Sequence, residues 1–428
     1  MLITGANKDF DVTINLVGSK SASNRALMIA YYGGFAPRIR NLSSSDDTQL
    51  LEDNLKALKA IKGINGLNGL KGADKIDCHN AGTVFRFLLT ALSLDTGRPS
   101  HDYILTGSDR MLHRPVGDLV DALRKIGADI EYMGQEGFPP LLVRTFPETS
   151  QKRILNNDIS VNITKSSQYA SSLLLAMPKS LHLDGDLSSL PYIDLTIDIM
   201  RHFGAKIHRE GRDVFIQPSE YQDVEYCVES DWTCASYWYE AVALSDNGRA
   251  RLRNLHLDSR QGDAIVARWF EQFGVKSIQD GDDVVISRVE TGEKSSSDVK
   301  TTFEDANNDT LLQFDFINNP DLYPTIAATC AGLGVKARFT GLRNLKHKES
   351  DRVAAMETEL VKTHGRASQH QDNPIIFDTY DDHRIAMALA PLTMRIGAIE
   401  INNADVVSKS YPDFWKDFSQ LTRHFDRP

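Results

Sequence analysis

The 428-residue chain is poor in cysteine: Cys78, Cys227, Cys234 and Cys330 are scattered and form no CxxC pair. That scatter is read as buried thiols in a reducing compartment. Long apolar runs are missing too, so no segment is expected to cross a bilayer. Met1 to Asn15 shows no basic start followed by an apolar stretch, and no secretory signal is expected. A cytoplasmic protein without a membrane partner follows. Basic residues are outnumbered, 48 Lys and Arg against 58 Asp and Glu, for a net charge of −10. That balance opposes general nucleic-acid binding but leaves room for a local basic pocket. What is present is ordinary for a globular protein: 41% hydrophobic and 25% charged residues, in a chain long enough for two domains.

A unit recurs along the chain. An amphipathic helix is followed by Gly and a short strand: Leu119, Leu123 and Ile126 before Gly127; Leu195, Ile199, Met200 and Phe203 before Gly204; Ile265, Trp269, Phe270 and Phe273 before Gly274. Leu51, Leu55 and Leu58 before Gly63, and Val353, Met356 and Leu360 before Gly365, repeat the pattern. The spacing is that of one buried helix face, and Gly suits the position just past a helix end. A second strand is expected after several of these, as at Leu141 to Arg144, Val214 to Gln217, Val284 to Ser287 and Ile375 to Phe377. Upstream lie more apolar helices, predicted at 23–32, 81–94, 167–177, 233–244, 321–333 and 382–395. The unit is therefore β-α-β-α-β-β, present about six times. Its last copy, ending in a helix at 411–421, lacks final strands, which the N-terminal strands at 2–4 and 12–16 could supply. The expected fold is α/β with two similar domains of three βαβαββ repeats: residues 1–16 with 230–428, and residues 17–229. Loops are expected at Lys62 to Gly72 and, polar and Ser-rich, at Gly292 to Lys300.

The buried helices begin with residues suited to anions. Lys348-Glu349-Ser350-Asp351-Arg352 precedes an apolar helix pattern, and free N–H groups at a helix start favour an anion. Lys348 and Arg352, four apart, would share one helical face. Glu349 between them is out of place in an anion site unless it moves protons. Gly18 to Arg25 offers a Gly turn, hydroxyls, Lys20 and Arg25; it is not a Walker A loop. Asn80-Ala81-Gly82-Thr83 would let a ligand approach the Gly82 backbone. Arg114 precedes a Pro-started helix. Ser166-Ser167-Gln168 supplies neutral donors. Asp321, Asp382-His383-Arg384 and Lys409 stand at further helix starts. Each alone is equally an ordinary helix cap or a surface charge. Together they imply a positive cleft lined by helix N-termini, a polyanionic substrate, and two carboxylates for acid–base work.

These motifs, in this order and over nearly the whole chain, resemble the enolpyruvyl transferases, most closely the 5-enolpyruvylshikimate-3-phosphate synthase family. The matching stretches are Gly18 to Arg25, Asn80 to Thr83, Asp109 to Leu123, Ser166 to Gln168, Pro191 to Asp194, Lys348 to Arg352, Asp382 to Arg384 and Lys409 to Asp413. The resemblance implies an inside-out α/β barrel in each domain, with helix N-termini facing an interdomain cleft. It implies a monomer with no cofactor and no metal. The implied reaction converts phosphoenolpyruvate and 3-phosphoshikimate to 5-enolpyruvylshikimate 3-phosphate and phosphate, in the shikimate pathway to chorismate and the aromatic amino acids. By motif, Lys20, Ser21, Arg25, Ser166, Ser167, Gln168, Ser189, Tyr192, Asp321, Asn344 and Lys348 would hold phosphoshikimate. Lys20, Gly82, Arg114, Gln168, Arg352, Arg384 and Lys409 would hold phosphoenolpyruvate. Asp321, Glu349 and Lys20 would be catalytic, with Asp321 taking the 5-hydroxyl proton and Glu349 protonating the methylene carbon. Glyphosate, which occupies the phosphoenolpyruvate position in the family, is expected to compete with that substrate.

The chain departs from the family pattern at four places. Val17 stands where Pro is usual, His79 where Gly is common, Phe87 where Pro follows Arg86, and His113 where Glu precedes Arg114. None of these is a group assigned to chemistry; Phe87 and His113 bear on affinity and inhibitor sensitivity. Three rivals are weighed. Transfer to UDP-N-acetylglucosamine would call for a reactive Cys, and Thr106 to Pro115 has none. A non-catalytic anion-binding protein would not need Asp321 and Glu349. An RNA-end-processing enzyme would need a basic, aromatic-rich stripe.

Overall fold

The computed structural model describes residues 1–63, 73–94, 102–145, 157–289, 311–364 and 373–426. The Ser-rich 292–300 stretch and Gly365 lie outside the described residues. So does the predicted 62–72 loop beyond Gly63, and its first two residues end a helix, Asp46–Gly63. The chain forms two compact units, Met1–Ser19 with Glu229–Pro428, and Lys20–Val228.

In the Lys20–Val228 unit, two four-stranded sheets share one strand order. The first runs Asp74–Asp77, Asp102–Thr106, Leu141–Arg144, Asp129–Tyr132; the second runs Asp158–Asn162, Ser180–Asp184, Asp213–Gln217, Lys206–Glu210. In each, the first two strands are parallel and the others antiparallel. Parallel neighbours need a crossover, and a buried helix provides it. All but Thr83 of the Gly82–Ser93 helix is buried, as is all but Gln168 of Gln168–Leu175. These helices are buried around nearly their whole circumference, so they are surrounded by protein. The Gly117–Lys125 helix differs. It buries Leu119, Val120, Ala122 and Leu123 and turns its charges outward. A two-stranded parallel sheet, Ile39–Arg40 with Tyr226–Cys227, joins the ends of this unit's chain segment.

The other unit repeats the same order. One sheet runs Asp9–Ile14, Asn247–Leu252, Asp283–Arg288, Val275–Asp280; another runs Ile375–Phe377, Ile399–Ile401, Leu2–Ala6, Thr422–Asp426. Leu312–Asp315 and Ala337–Thr340 pair in parallel. The Trp232–Leu244 helix is buried over its entire length. Each unit has its own apolar core, one centred on the Trp232–Leu244 helix and one on the Gly82–Ser93 helix. The predicted helix–Gly–strand joints at Gly127, Gly204 and Gly274 all have positive φ (94°, 91° and 74°), which glycine adopts without a Cβ clash.

Several expected boundaries are corrected. The chain's last described element is a strand, Thr422–Asp426, and the helix at 411–421 shrinks to Phe414–Phe418 with a 3-10 turn after it. The two N-terminal strands part company. Leu2–Ala6 lies between Ile399–Ile401 and Thr422–Asp426, whereas Asp9–Ile14 pairs in parallel with Asn247–Leu252. Ile375–Phe377 does not close the unit before it; it opens the next, parallel to Ile399–Ile401. The helix expected over 382–395 is broken into His383–Leu389, a 3-10 turn and Thr393–Ile396. Pro391 lacks the N–H that would continue the ladder there. Asp321 lies in a 3-10 turn, Pro320–Leu322, ahead of the Tyr323–Leu333 helix.

Candidate active site

The predicted site residues fall in both units, and each group has its own chemistry. In the unit built on the Trp232–Leu244 helix, Arg352 is the hub. It opens the Arg352–Val361 helix, where the Asp351 side chain caps Ala354 N at 3.2 Å. Its guanidinium is buried and reaches three carboxylates. Nε donates to Asp382 Oδ2 at 2.8 Å and Nη2 to Asp382 Oδ1 at 3.2 Å. Nη1 donates to Asp321 Oδ1 at 2.7 Å, and Nη2 also to Glu349 Oε2 at 2.9 Å. Burial opposes the charge of Arg352, but Asp382, Glu349 and Asp321 outweigh it and hold its pKa above the ordinary value.

Asp321 is held by three cations: Arg352, Arg384 Nη2 at 2.9 Å, and Lys348 Nζ at 3.3 Å. Burial alone would raise its pKa; Arg384, Lys348 and Arg352 overcome that and hold it well below the ordinary carboxylate value. Burial pulls the Lys348 ammonium down, with Asp321 partly opposing. Lys409 Nζ approaches Glu349 Oε1 at 3.8 Å. Lys348, Arg352, Arg384 and Lys409 are thus brought together around Asp321 and Glu349. Lys348 does not sit on a helical face with Arg352, as its spacing suggested. It ends a 3-10 turn in extended backbone, and the two meet through Asp321. Asn344 lies in that turn, half-buried.

Asp382, which the sequence marks only as a helix start, belongs to the site as well. It caps its helix by accepting from Arg384 N at 3.0 Å. The same buried carboxylate takes Arg352 in a two-pronged grip and the Ser350 hydroxyl at 3.0 Å. The cap was legible; the grip joins residues thirty positions apart and was not.

The second group belongs to the Lys20–Val228 unit. Arg25, on the Lys20–Tyr32 helix, is buried, and its four acceptors are all neutral: Thr196 Oγ1 (2.7 Å), Ser21 O (2.8 Å), Ser171 Oγ (3.0 Å) and Tyr192 O (3.1 Å). Its guanidinium carbon stands 5.7 Å from the centre of the Phe87 ring. Burial lowers its pKa to about 10. Lys20, by contrast, meets Asp47 at 3.0 Å, at the start of the Asp46–Gly63 helix. Asp47 was also missed, because two acids opening a helix read as a dipole match.

Gln168 is held at both ends of its amide. Its Oε1 accepts from Arg86 Nη1 at 2.8 Å and its Nε2 donates to Thr83 Oγ1 at 2.7 Å. Arg86 also donates to Gly82 O and Pro115 O and lies over the Tyr169 ring at 5.4 Å. It braces the Gly82 turn against the Arg114–Pro115 segment, a role the sequence signalled only as one charge in an apolar helix. Arg114 Nη1 donates to Asn80 O at 3.2 Å. A Cβ at Gly82 would meet the Arg86 and Arg114 guanidinium groups at 2.5–2.7 Å, so only glycine leaves them in place. Ser167 precedes the Gln168–Leu175 helix without a side-chain cap bond, and Ser166 Oγ accepts from Gln168 N at 3.3 Å. Ser189, in left-handed backbone at φ 55°, precedes the helix that carries Tyr192. Strained backbone of this kind clusters at functional sites. Of the four departures, Phe87 is buried under Arg25, and His113 Nδ1 lies 2.7 Å from Asp109 O.

Comparison with known proteins agrees over the full length. The family model for EPSP synthase (3-phosphoshikimate 1-carboxyvinyltransferase) matches residues 5–418. A 3-phosphoshikimate 1-carboxyvinyltransferase of Bacteroides fragilis (strain YCH46) is 37% identical over 97% of this chain and 96% of its own. One from Vibrio cholerae serotype O1 (strain M66-2) is 34% identical, covering 96% of each. The fold is similar to that of a solved EPSP synthase from Acinetobacter baumannii, with a TM-score of 0.68, 20% identity and 98% of each chain covered. No helix among the described residues is long and apolar enough to cross a membrane.

Proposed function

From the premise that this chain belongs to the EPSP synthase family, we propose that it transfers the enolpyruvyl group of phosphoenolpyruvate to the 5-hydroxyl of 3-phosphoshikimate, releasing phosphate. The observation that carries this reading is the pair Asp321 and Glu349, both held by Arg352 among Lys348, Arg384 and Lys409. Two carboxylates locked among cations suit a reaction that moves two protons between polyanions. The 5-hydroxyl oxygen attacks C2 of phosphoenolpyruvate. Its proton passes to Asp321 while Glu349 gives a proton to the methylene carbon. The tetrahedral adduct then breaks its C2–O bond to phosphate and returns a proton from the methyl group, which restores the double bond. Lys348, Arg352, Arg384, Lys409 and Arg114 stabilise the phosphoenolpyruvate and intermediate charges.

We assign the phosphoshikimate contacts to Arg25, Lys20, Ser21, Ser166, Ser167, Gln168, Ser189, Tyr192, Asn344 and Lys348. Arg25 supports the assignment best, since a buried cation with only neutral acceptors is ready for an anion. Gly82 and Arg114 are assigned to phosphoenolpyruvate, and Lys20 and Gln168 to both substrates. A cytoplasmic monomer of two domains, 1–16 with 230–428 and 17–229, working without cofactor or metal, belongs to the same proposal. The test is phosphate release from phosphoenolpyruvate with 3-phosphoshikimate, with UDP-N-acetylglucosamine, and with neither. Release with phosphoshikimate alone is expected. Release with the nucleotide sugar, or with neither acceptor from folded protein, would overturn the reading.

A further inference from the structure

Behind Asp321 lies a fourth carboxylate, Asp263. It is buried in the 3-10 turn Gly262–Ile265, and it makes no ion pair among the described residues. Two donors hold it. Thr233 Oγ1, in the first turn of the Trp232–Leu244 helix, donates to Asp263 Oδ2 at 2.5 Å. Asn319 Nδ2 donates to Asp263 Oδ1 at 3.1 Å. Asn319 is the residue that enters the Pro320–Leu322 turn, and that turn presents Asp321. The Asn319 backbone is fixed as well: its N–H donates to Phe316 O at 3.2 Å and its carbonyl accepts from Leu322 N at 3.1 Å. Asp263 therefore ties the base of the Asp321 turn to the central helix. Thr233 is anchored in turn, because its carbonyl accepts from Ser236 Oγ at 2.6 Å, and that hydroxyl meets Thr325 Oγ1 at 3.0 Å. The charged groups facing Asp263 are Asp321 and Arg384.

We propose that Asp263 is a positioning residue for Asp321, fixing the turn that presents the Asp321 carboxylate and, when ionised, favouring proton transfer onto it. The proposal rests on the reading of Asp321 as the acceptor of the hydroxyl proton. Its physical basis is a mismatch. Arg384, Lys348 and Arg352 make Asp321 a weak base. A base works best when its proton affinity approaches the working pH. A second negative charge nearby raises that affinity, because protonating Asp321 relieves the repulsion between the two. Burial, and then the charge of Asp321, push the Asp263 carboxyl up to about 6, so it is ionised at neutral pH and protonated in mild acid. The ionisation is shared by the pair, as in other coupled carboxylates.

The experiment measures kcat and both KM values for the full-length enzyme between pH 5 and pH 9, for wild type, D263N, N319A, T233V and D321N. Wild type is expected to show an acid limb near pH 6. D263N should lose kcat on the order of 10-fold to 100-fold, as expected for a misplaced catalytic group, with both KM values changed far less and the limb near pH 6 gone. N319A should lose kcat and, because it too removes a donor to the ionised carboxylate, move that limb to higher pH. T233V removes a donor to the ionised carboxylate, so the limb should move to higher pH; this variant decides the matter if D263N does not fold. Wild-type kcat and pH profile in D263N, or an unmoved limb in T233V, would overturn the inference. An active D321N would instead sink the base assignment itself, so the two failures are distinguishable.

Discussion

Arg352 and Arg25 are both buried arginines, and they are built in opposite ways. Arg352 is satisfied by Asp382, Asp321 and Glu349 before any substrate arrives. Arg25 has hydroxyls, carbonyls and an aromatic ring, and no carboxylate among the described residues. A buried charge without a counter-charge is costly to fold. The first arrangement stabilises the apo protein and holds two carboxylates ready for proton transfer. The second leaves a positive charge whose natural complement is the ligand. The comparison separates the half of the chemistry that moves protons from the half that captures an anion.

The largest effect should come from the proton-moving half. Glu349→Gln keeps the shape and removes the acid, so turnover should fall by roughly 10²–10⁴-fold with substrate binding retained in calorimetry; a near wild-type rate would remove Glu349 from proton transfer. Arg352→Met against Arg25→Met tests the comparison directly. Removing Arg352 takes the two-pronged cation from buried Asp382, while Asp321 keeps Arg384 and Lys348, and should cost about 3–5 kcal/mol of stability in denaturant titration. Removing Arg25 strands only neutral acceptors and should cost roughly 1 kcal/mol, while raising KM for phosphoshikimate. Equal losses would erase the distinction.

A smaller effect concerns pH, where two acids of one unit act with opposite sign. Asp321 has a depressed pKa, so its contribution to stability is present above the ordinary carboxylate value and is lost as pH falls towards the folded value. Glu240, inside the Trp232–Leu244 helix, is fully buried with neither oxygen hydrogen-bonded among the described residues, and burial raises its pKa well above the ordinary value. Its contribution is complete below the ordinary value and is lost as pH rises towards the folded one. Glu240→Met should therefore stabilise the protein by about 1–3 kcal/mol, and more at pH 8 than at pH 5 in thermal melts. An equal gain at both would mean that Glu240 does not titrate. The smallest effect is expected from Phe87→Leu. Losing the ring beneath Arg25 should cost about 1 kcal/mol of phosphoshikimate affinity, near fivefold in KM for that substrate and nothing for phosphoenolpyruvate. Equal changes in both would make Phe87 a packing residue only.

Much of this was legible without coordinates, and for a local reason. The buried helices at Gly82–Ser93 and Trp232–Leu244 announce themselves by their density of Ala, Leu and aromatic residues. Thr422–Asp426 carries no such signal; its strand exists because Leu2–Ala6 pairs with it, from Leu2 opposite Asp426 to Ala6 opposite Thr422. The same division runs through the site. Arg352, Arg384, Asp321 and Glu349 stand out by charge at helix starts. Asp382 looked like a helix cap and is one, but its second bond, to Arg352, depends on two helices meeting. Asp263 and Arg86 were passed over for the same reason, since their partners lie 56 and 82 residues away.

By itself, then, the sequence determined the helix and strand periodicities, the helix-start motifs and the family, because each is written in residues close together in the chain. Only the tertiary structure decided which charges meet. Coulombic and hydrogen-bond energies depend on distances of a few ångströms between residues far apart in the chain. It is this that sets Arg352 among three acids, leaves Arg25 with none among the described residues, and ties Asp263 to the turn that presents Asp321.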